Sequence, residues 1–121
     1  MSYEFYKFLH LVGIVMTIAA LSGMSLHVAS GGTRDYAGRK MAAMFHGIGL
    51  VITLVAGFGL LARLGLMGGM PGWAIAKLVV WFILGGLPAL IYRKPKLAKM
   101  FWSLIILFAA LNAYLAIYKP F

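Results

Sequence analysis

Four side chains inside otherwise apolar segments have types that could do chemistry: His10, His27, His46 and Lys77. A histidine can ligate a metal or accept a proton near neutral pH, and a lysine beside it can pair with a carboxylate or tune the imidazole. Lys77 stands in WAIAKLVVWFILGG, where every other residue is apolar. A charge near the bilayer centre costs roughly 2.5–3.5 kcal/mol. Lys77 therefore either has a function or snorkels, extending its side chain so that the ammonium reaches the lipid headgroups at little cost in free energy.

The composition predicts a membrane protein. Of the 121 residues, 64% are hydrophobic and 11% are charged, whereas soluble proteins average about 25% charged. Lys and Arg total 11 against 2 acidic residues, a net charge of +9. With no soluble core to pair with a basic surface, this excess indicates loops beside anionic lipid and no nucleic-acid partner. The lack of cysteine in the sequence excludes disulfides, thiolate metal sites and cysteine nucleophiles.

Four apolar runs, each near the ~20 residues that a spanning helix needs, predict an all-α integral membrane fold. The helices are expected at about 5–28, 41–62, 73–92 and 100–118, within one transmembrane domain that covers 1–121. Short connections favour an up-down-up-down four-helix bundle. The first and third connections are the basic ones, so the positive-inside rule places them in the cytoplasm. Both termini are then expected on the outer, periplasmic side of a bacterial inner membrane.

Small and polar residues recur at helical spacing on the first two predicted helices. Such seams favour close packing of helix on helix, and they also leave room for a flat ligand between helices. The seams are His10, Gly13, Thr17, Ala20, Met24 and His27 on the first helix, and His46, Gly49, Thr53 and Ala56 on the second.

Depth within the membrane limits which polar groups can meet. At a rise of about 1.5 Å per residue, His10 and Lys77 are expected in one outer layer, and His27 and His46 in an inner layer. The offset of His10 from His46 is about 15 Å, too large for both to ligate one iron. Two haem arrangements remain: His10 as a lone axial ligand, or His27 with His46. For each histidine, the alternative is an interhelical hydrogen bond.

Three segments together resemble a known family. They are YKFLHLVGIV at the first helix, GWAIAKL at the start of the third, and LAIYKPF at the end of the fourth. In order and spacing they are similar to the HemJ-type protoporphyrinogen oxidases, small helical membrane proteins of bacterial haem synthesis. The resemblance extends over nearly the whole chain. The family carries an arginine late in its first helix. In this sequence that position falls near Leu26, and the first predicted helix contains no arginine.

The resemblance implies a redox role: oxidation of protoporphyrinogen to protoporphyrin, with haem b as the suspected electron carrier. The family's functional histidine and lysine match His10 and Lys77, which are therefore the candidate catalytic and cofactor-binding residues. His10 would ligate the haem iron or accept a proton, and Lys77 would pair with a propionate or tune the histidine. His46, with His27, is the candidate for a separate inner cofactor site.

Three functional hypotheses follow. The first is a HemJ-like protein that binds haem or a porphyrin between its helices, with or without oxidase activity. The second is a non-catalytic accessory subunit of a larger membrane complex, packed through its glycine-rich faces. The third is a b-type cytochrome with His27 and His46 as ligands. Because four helices barely enclose a porphyrin, a homo-oligomer or larger assembly is also expected.

Overall fold

The computed structural model describes residues 2–119, and these residues form helices joined by short connections. The four long helices are α1 (Tyr3–Ala29), α2 (Arg39–Arg63), α3 (Gly72–Arg93) and α4 (Ala98–Tyr118). A short 3-10 turn, Pro95–Leu97, precedes α4. All four helices are long and apolar enough to cross a membrane. Their ends lie within two residues of the predicted ones. Pro120 and Phe121 of the LAIYKPF segment lie outside the described residues.

Local signals in the sequence account for where the helices start and stop. The Ser2 hydroxyl caps α1 by accepting from the Phe5 N–H at 3.2 Å. A glycine with positive φ lies two residues after the last residue of both α1 and α2, Gly31 at 90° and Gly65 at 74°. At each end the next residue, Gly32 or Leu66, donates its N–H back to a carbonyl five residues earlier. Glycine suits both sites because a side chain is strained at such φ values.

α1 and α2 form the closest helix pair because small residues let their backbones approach. A Cβ at Gly13 would lie 2.5 Å from Thr53 Oγ1, and a Cβ at Gly49 would lie 2.6 Å from Thr17 Oγ1. Both threonines turn their hydroxyls back to a carbonyl of their own helix, at 2.9 Å from Thr17 and 2.7 Å from Thr53. The seams predicted on the two helices therefore meet within one chain. Along this contact, rising residue numbers in α1 meet falling numbers in α2.

The apolar core is concentrated near one end of the molecule. It joins the second half of α1, the second half of α3 and the first half of α4, and we call this region the packed half. Leu21, Ile91 and Ile105 are completely buried there. Its full set of buried residues is Leu21, Met24, Val28, Val80, Leu84, Leu87, Ile91, Ala98, Phe101 and Ile105. The region around the first half of α1, the start of α3 and the second half of α4 is the open half.

Candidate functional site

The open half contains a cavity of about 500 Å³ to which all four helices contribute. Ligand pockets generally measure about 300–1,000 Å³ and are mostly apolar with a few polar groups. This cavity has that character: leucine, isoleucine and aromatic side chains form most of its wall. Its polar members include His10, Thr53, Lys77 and Asn112.

His10 is held in a defined orientation on the cavity wall. Its Nδ1–H donates to the backbone carbonyl of Thr53 at 2.9 Å, and because a carbonyl can only accept, the proton belongs on Nδ1. The other ring nitrogen, Nε2, then carries the lone pair. Gly57 makes room for the ring, since a Cβ there would lie 3.2 Å from His10 Cε1. An imidazole fixed through Nδ1 to a carbonyl is the usual arrangement of a metal-ligating histidine.

Lys77 points to this free nitrogen. Its Nζ lies 3.5 Å from His10 Nε2, and the contact is partly buried. Both side chains line the cavity. The depth arithmetic predicted that these two residues share a layer, and the contact agrees with that prediction. The Lys77 ammonium is thereby placed at the cavity wall.

Two further lysines stand on the same cavity. Lys7 comes from α1, and Lys119 follows α4. Lys119 has a left-handed backbone, φ 46°, and its Nζ lies 5.2 Å from the centre of the Trp73 ring. The described residues that line the cavity include no acid. Three cations around one mostly apolar space favour an anionic ligand with a large apolar body.

Asn112 adds an unusual polar group to the wall. Its side-chain Oδ1 is buried and has no hydrogen-bond partner among the described residues. Buried polar atoms are almost always paired, and an unpaired one costs about 1–3 kcal/mol. Asn112 lies six residues before the end of α4, and Lys77 lies five residues after the start of α3. An acceptor is therefore available to a ligand at the depth of the His10–Lys77 contact.

The other two histidines lie outside the lining of this cavity, and each hydrogen-bonds to a backbone carbonyl. His46 is buried at 7% exposure, and its Nε2–H donates to the Leu84 carbonyl at 3.0 Å. His27 donates through Nε2 to the Thr33 carbonyl at 2.8 Å and stacks on Tyr36 with ring centres 3.6 Å apart. Each makes a local structural contact, which is the alternative considered for it from the sequence.

The expected inner pair of His27 and His46 is not formed. Because α1 and α2 run past each other with Gly13 beside Gly49, His46 is level with the middle of α1. His27 lies near the end of α1, about 12 Å further along. The offset of His10 from His46 also differs from expectation: His10 is level with Thr53, so the offset is about 10 Å rather than 15 Å. Both separations exceed what one iron can bridge.

Asn112 and Lys119 were not predicted from the sequence as members of the site. Asn112 is the only asparagine in the chain, and the chain has no glutamine. A lone amide within an apolar span is a signal that could have drawn attention to it, since polar groups inside the membrane are costly. The position of Lys119 over Trp73 had no such signal, because it depends on how the ends of α3 and α4 meet.

Comparisons with protein-family models, with curated proteins and with solved structures give no match for this chain. Within residues 2–119, no three histidine, cysteine, aspartate or glutamate side chains cluster in a way that could hold a metal ion.

Proposed function

We propose that this chain is a membrane protein that binds haem or a protoporphyrin in the cavity of its open half, with a redox role in haem synthesis. The observation that carries the proposal is the contact between His10 and Lys77 on the wall of a mostly apolar cavity. A porphyrin is a flat apolar ring with two propionates, and the cavity offers apolar walls, cations and one free imidazole nitrogen.

The residues fit an iron porphyrin in a specific way. His10 Nε2 has one lone pair, so it can hold an iron or accept from Lys77, but not both. If His10 held an iron, the Lys77 ammonium would be free of this contact and could pair with a propionate. Lys7 and Lys119 are the other cations available for carboxylates, and charge-assisted hydrogen bonds of this kind are about twice as strong as neutral ones.

Haem, when bound, would supply a one-electron carrier between a reduced porphyrin and an electron acceptor outside this chain, which takes up the electrons that the porphyrin loses. The chain's own contribution is to bind, orient and exchange protons. His10 is the proton acceptor if its Nε2 is not on iron, and the Lys77 ammonium beside it stabilises negative charge. The apolar walls keep water away from a bound ring, which strengthens both effects. The match to the HemJ-type His–Lys pair supports protoporphyrinogen as the substrate.

The same proposal includes a topology. Helices joined by short connections, with the basic ones at one end, support an up-down-up-down bundle with both termini outward in a bacterial inner membrane. The cavity would then open near the periplasmic face, where Tyr3, Lys7 and Lys119 lie.

The accessory-subunit alternative has less support. It relied on glycine-rich faces that pack against other proteins, whereas Gly13 and Gly49 pack against threonines of their own chain. The cytochrome alternative required His27 beside His46, and their hydrogen bonds lie elsewhere. Neither alternative is favoured by an observation of its own.

The test is the absorption spectrum of the protein purified in detergent from haem-replete cells. We expect a Soret band whose intensity corresponds to one haem per chain. Titration with haem dimethyl ester, in which both carboxylates are blocked, should give much weaker binding than haem. Lys77→Met and Lys119→Gln should each weaken the binding of haem more than the binding of the ester, so the two affinities should become more similar. A protein that purifies without a Soret band and takes up no added haem would contradict the proposal.

Oxidase activity is tested separately by growth. The gene should restore growth to bacterial cells that lack their own protoporphyrinogen oxidase, and His10→Gln should abolish the rescue. A Soret band without rescue would leave haem binding in place and remove the enzymatic part of the proposal.

A further inference from the structure

Positive charge is segregated at the end of the molecule that carries the packed half. The two connections there contain a single acid, Asp35, which pairs with Arg39 at 3.5 Å. The other acid of the chain, Glu4, lies in the first turn of α1, at its opposite end. The basic residues of this end are all exposed: Arg34, Arg39, Lys40, Arg93, Lys94, Lys96 and Lys99.

A groove on this end runs between the last turn of α1 and the first turns of α4. Leu26, Ala29 and Ser30 form one wall, and Lys99, Trp102, Ser103 and Ile106 form the other. Leu26 is 52% exposed and Ile106 is 61% exposed. Both apolar side chains therefore face outward along the groove rather than into the helix bundle.

Both walls change from polar to apolar in the same direction. On α4 the order is Lys99, Ser103, Ile106, and on α1 it is Ser30, Ala29, Leu26. Lys99 and Ile106 are about 10 Å apart along the helix axis. A phospholipid has the same order, with a phosphate at the membrane surface and an acyl chain below it. Trp102 lies between the two levels, as tryptophans commonly do at the headgroup boundary.

The charge of the groove selects among phospholipids. Within residues 2–119 no acid pairs with Lys99, since Asp35 pairs with Arg39 and Glu4 lies at the other end of α1. The Ser103 hydroxyl donates its only proton to the Lys99 carbonyl at 3.0 Å, so the lysine ammonium is the group that attracts an anion at the mouth of the groove. An anionic headgroup is attracted there, whereas a zwitterionic headgroup brings its own ammonium to an already cationic end.

We propose that this groove is a binding site for one anionic phospholipid, with its phosphate at Lys99 and an acyl chain along Leu26 and Ile106. The inference is independent of the cavity and of haem. It makes the α1–α4 groove a defined lipid position, in addition to the diffuse attraction of the basic end for an anionic membrane.

The test is native mass spectrometry of the full chain in detergent, titrated with dioleoyl phosphatidylglycerol and, in parallel, with dioleoyl phosphatidylcholine. The wild type should retain one phosphatidylglycerol in preference to phosphatidylcholine. Lys99→Gln should weaken that binding about fivefold, the effect of one lysine at an anionic surface. Lys96→Gln is the matched control, because Lys96 is exposed at the same end but lies outside the groove.

A second pair of variants tests the shape of the groove at constant charge. Ser103→Trp should fill the groove and reduce lipid retention, whereas Ser103→Ala should leave retention close to wild type. If Lys99→Gln and Lys96→Gln lost phosphatidylglycerol binding equally, the lipid would be held by the general positive charge of this end, and the proposed site would be wrong. Equal retention of the two lipids, or displacement of the lipid by free glycerol phosphate at the same concentration, would also overturn it.

Discussion

The two halves of the molecule treat their polar groups in opposite ways. Beside the packed half, His46 on α2 is buried, and its ring donates to the carbonyl of Leu84, one of the buried residues of that half. In the open half, His10 keeps one ring nitrogen for Lys77, and Asn112 has a buried oxygen with no described partner.

This contrast separates stability from binding. A buried polar group that is fully paired stabilises one conformation, whereas an unpaired one costs free energy and remains available to a ligand. His10 and His46 lie equally far from the starts of their helices, α1 and α2, yet they make different kinds of contact.

The largest expected effect is on a core leucine. Leu21 has 0% exposure, and Leu11, on the same helix, is 53% exposed beside the cavity. Leu21→Ala should lower the free energy of unfolding by about 2–5 kcal/mol, because it removes buried methyl groups and leaves a hole. Leu11→Ala should cost less than about 1 kcal/mol. Thermal unfolding in detergent measures both, and equal losses would erase the distinction between the halves.

A glycine pair tests how the open half is held together. Gly13 and Gly23 lie on the same helix, but a Cβ at Gly13 would lie 2.5 Å from Thr53 Oγ1, whereas a Cβ at Gly23 would have nothing within 4 Å. Gly13→Ala should destabilise the protein by about 1–3 kcal/mol through overpacking. Gly23→Ala should be neutral or should stabilise by up to about 1 kcal/mol, since alanine is the better helix former. The reverse order of unfolding temperatures would contradict the α1–α2 contact.

Asn112→Leu should have the smallest effect on stability of the variants compared. Unlike Leu21→Ala and Gly13→Ala, it should make the ligand-free protein more stable. Replacing the unpaired amide by an apolar group of similar size should raise the free energy of unfolding of the ligand-free protein by about 1 kcal/mol. Because a hydrogen-bonding group of the cavity is lost, affinity for protoporphyrin should fall roughly fivefold. Thermal unfolding and a fluorescence titration give the two values. A loss of stability with unchanged affinity would make Asn112 a structural residue.

Much of the fold could be predicted from the sequence because lipid imposes a simple rule. A helix must supply all its own backbone hydrogen bonds in the bilayer, so an apolar run near the spanning length predicts a helix directly. Turn signals such as Gly31 and Gly65 then fix the ends. Depth counted from the helix starts was sufficient to predict that His10 and Lys77 share a layer, since both residues lie close to the start of a helix.

The rest depended on how helices pass each other, which hydropathy does not encode. His27 and His46 were expected together because both lie near a basic connection. The close contact of Gly13 with Gly49 sets the register of α1 against α2, and this register separates the two histidines. The importance of Asn112 likewise depends on which face of α4 is turned toward the cavity. Its neighbours in the sequence are apolar and do not indicate that direction.

The most direct test of the central claim compares His10→Gln with His46→Gln, titrated with haem in detergent and followed at the Soret band. Glutamine can keep a donor to the carbonyl in each case, so the comparison isolates the free ring nitrogen. We predict that His10→Gln loses the histidine-ligated spectrum while its unfolding temperature stays near wild type. His46→Gln should retain the spectrum and unfold at a lower temperature. An unchanged Soret band in His10→Gln, or its loss in His46→Gln alone, would contradict the assignment of binding to the open half.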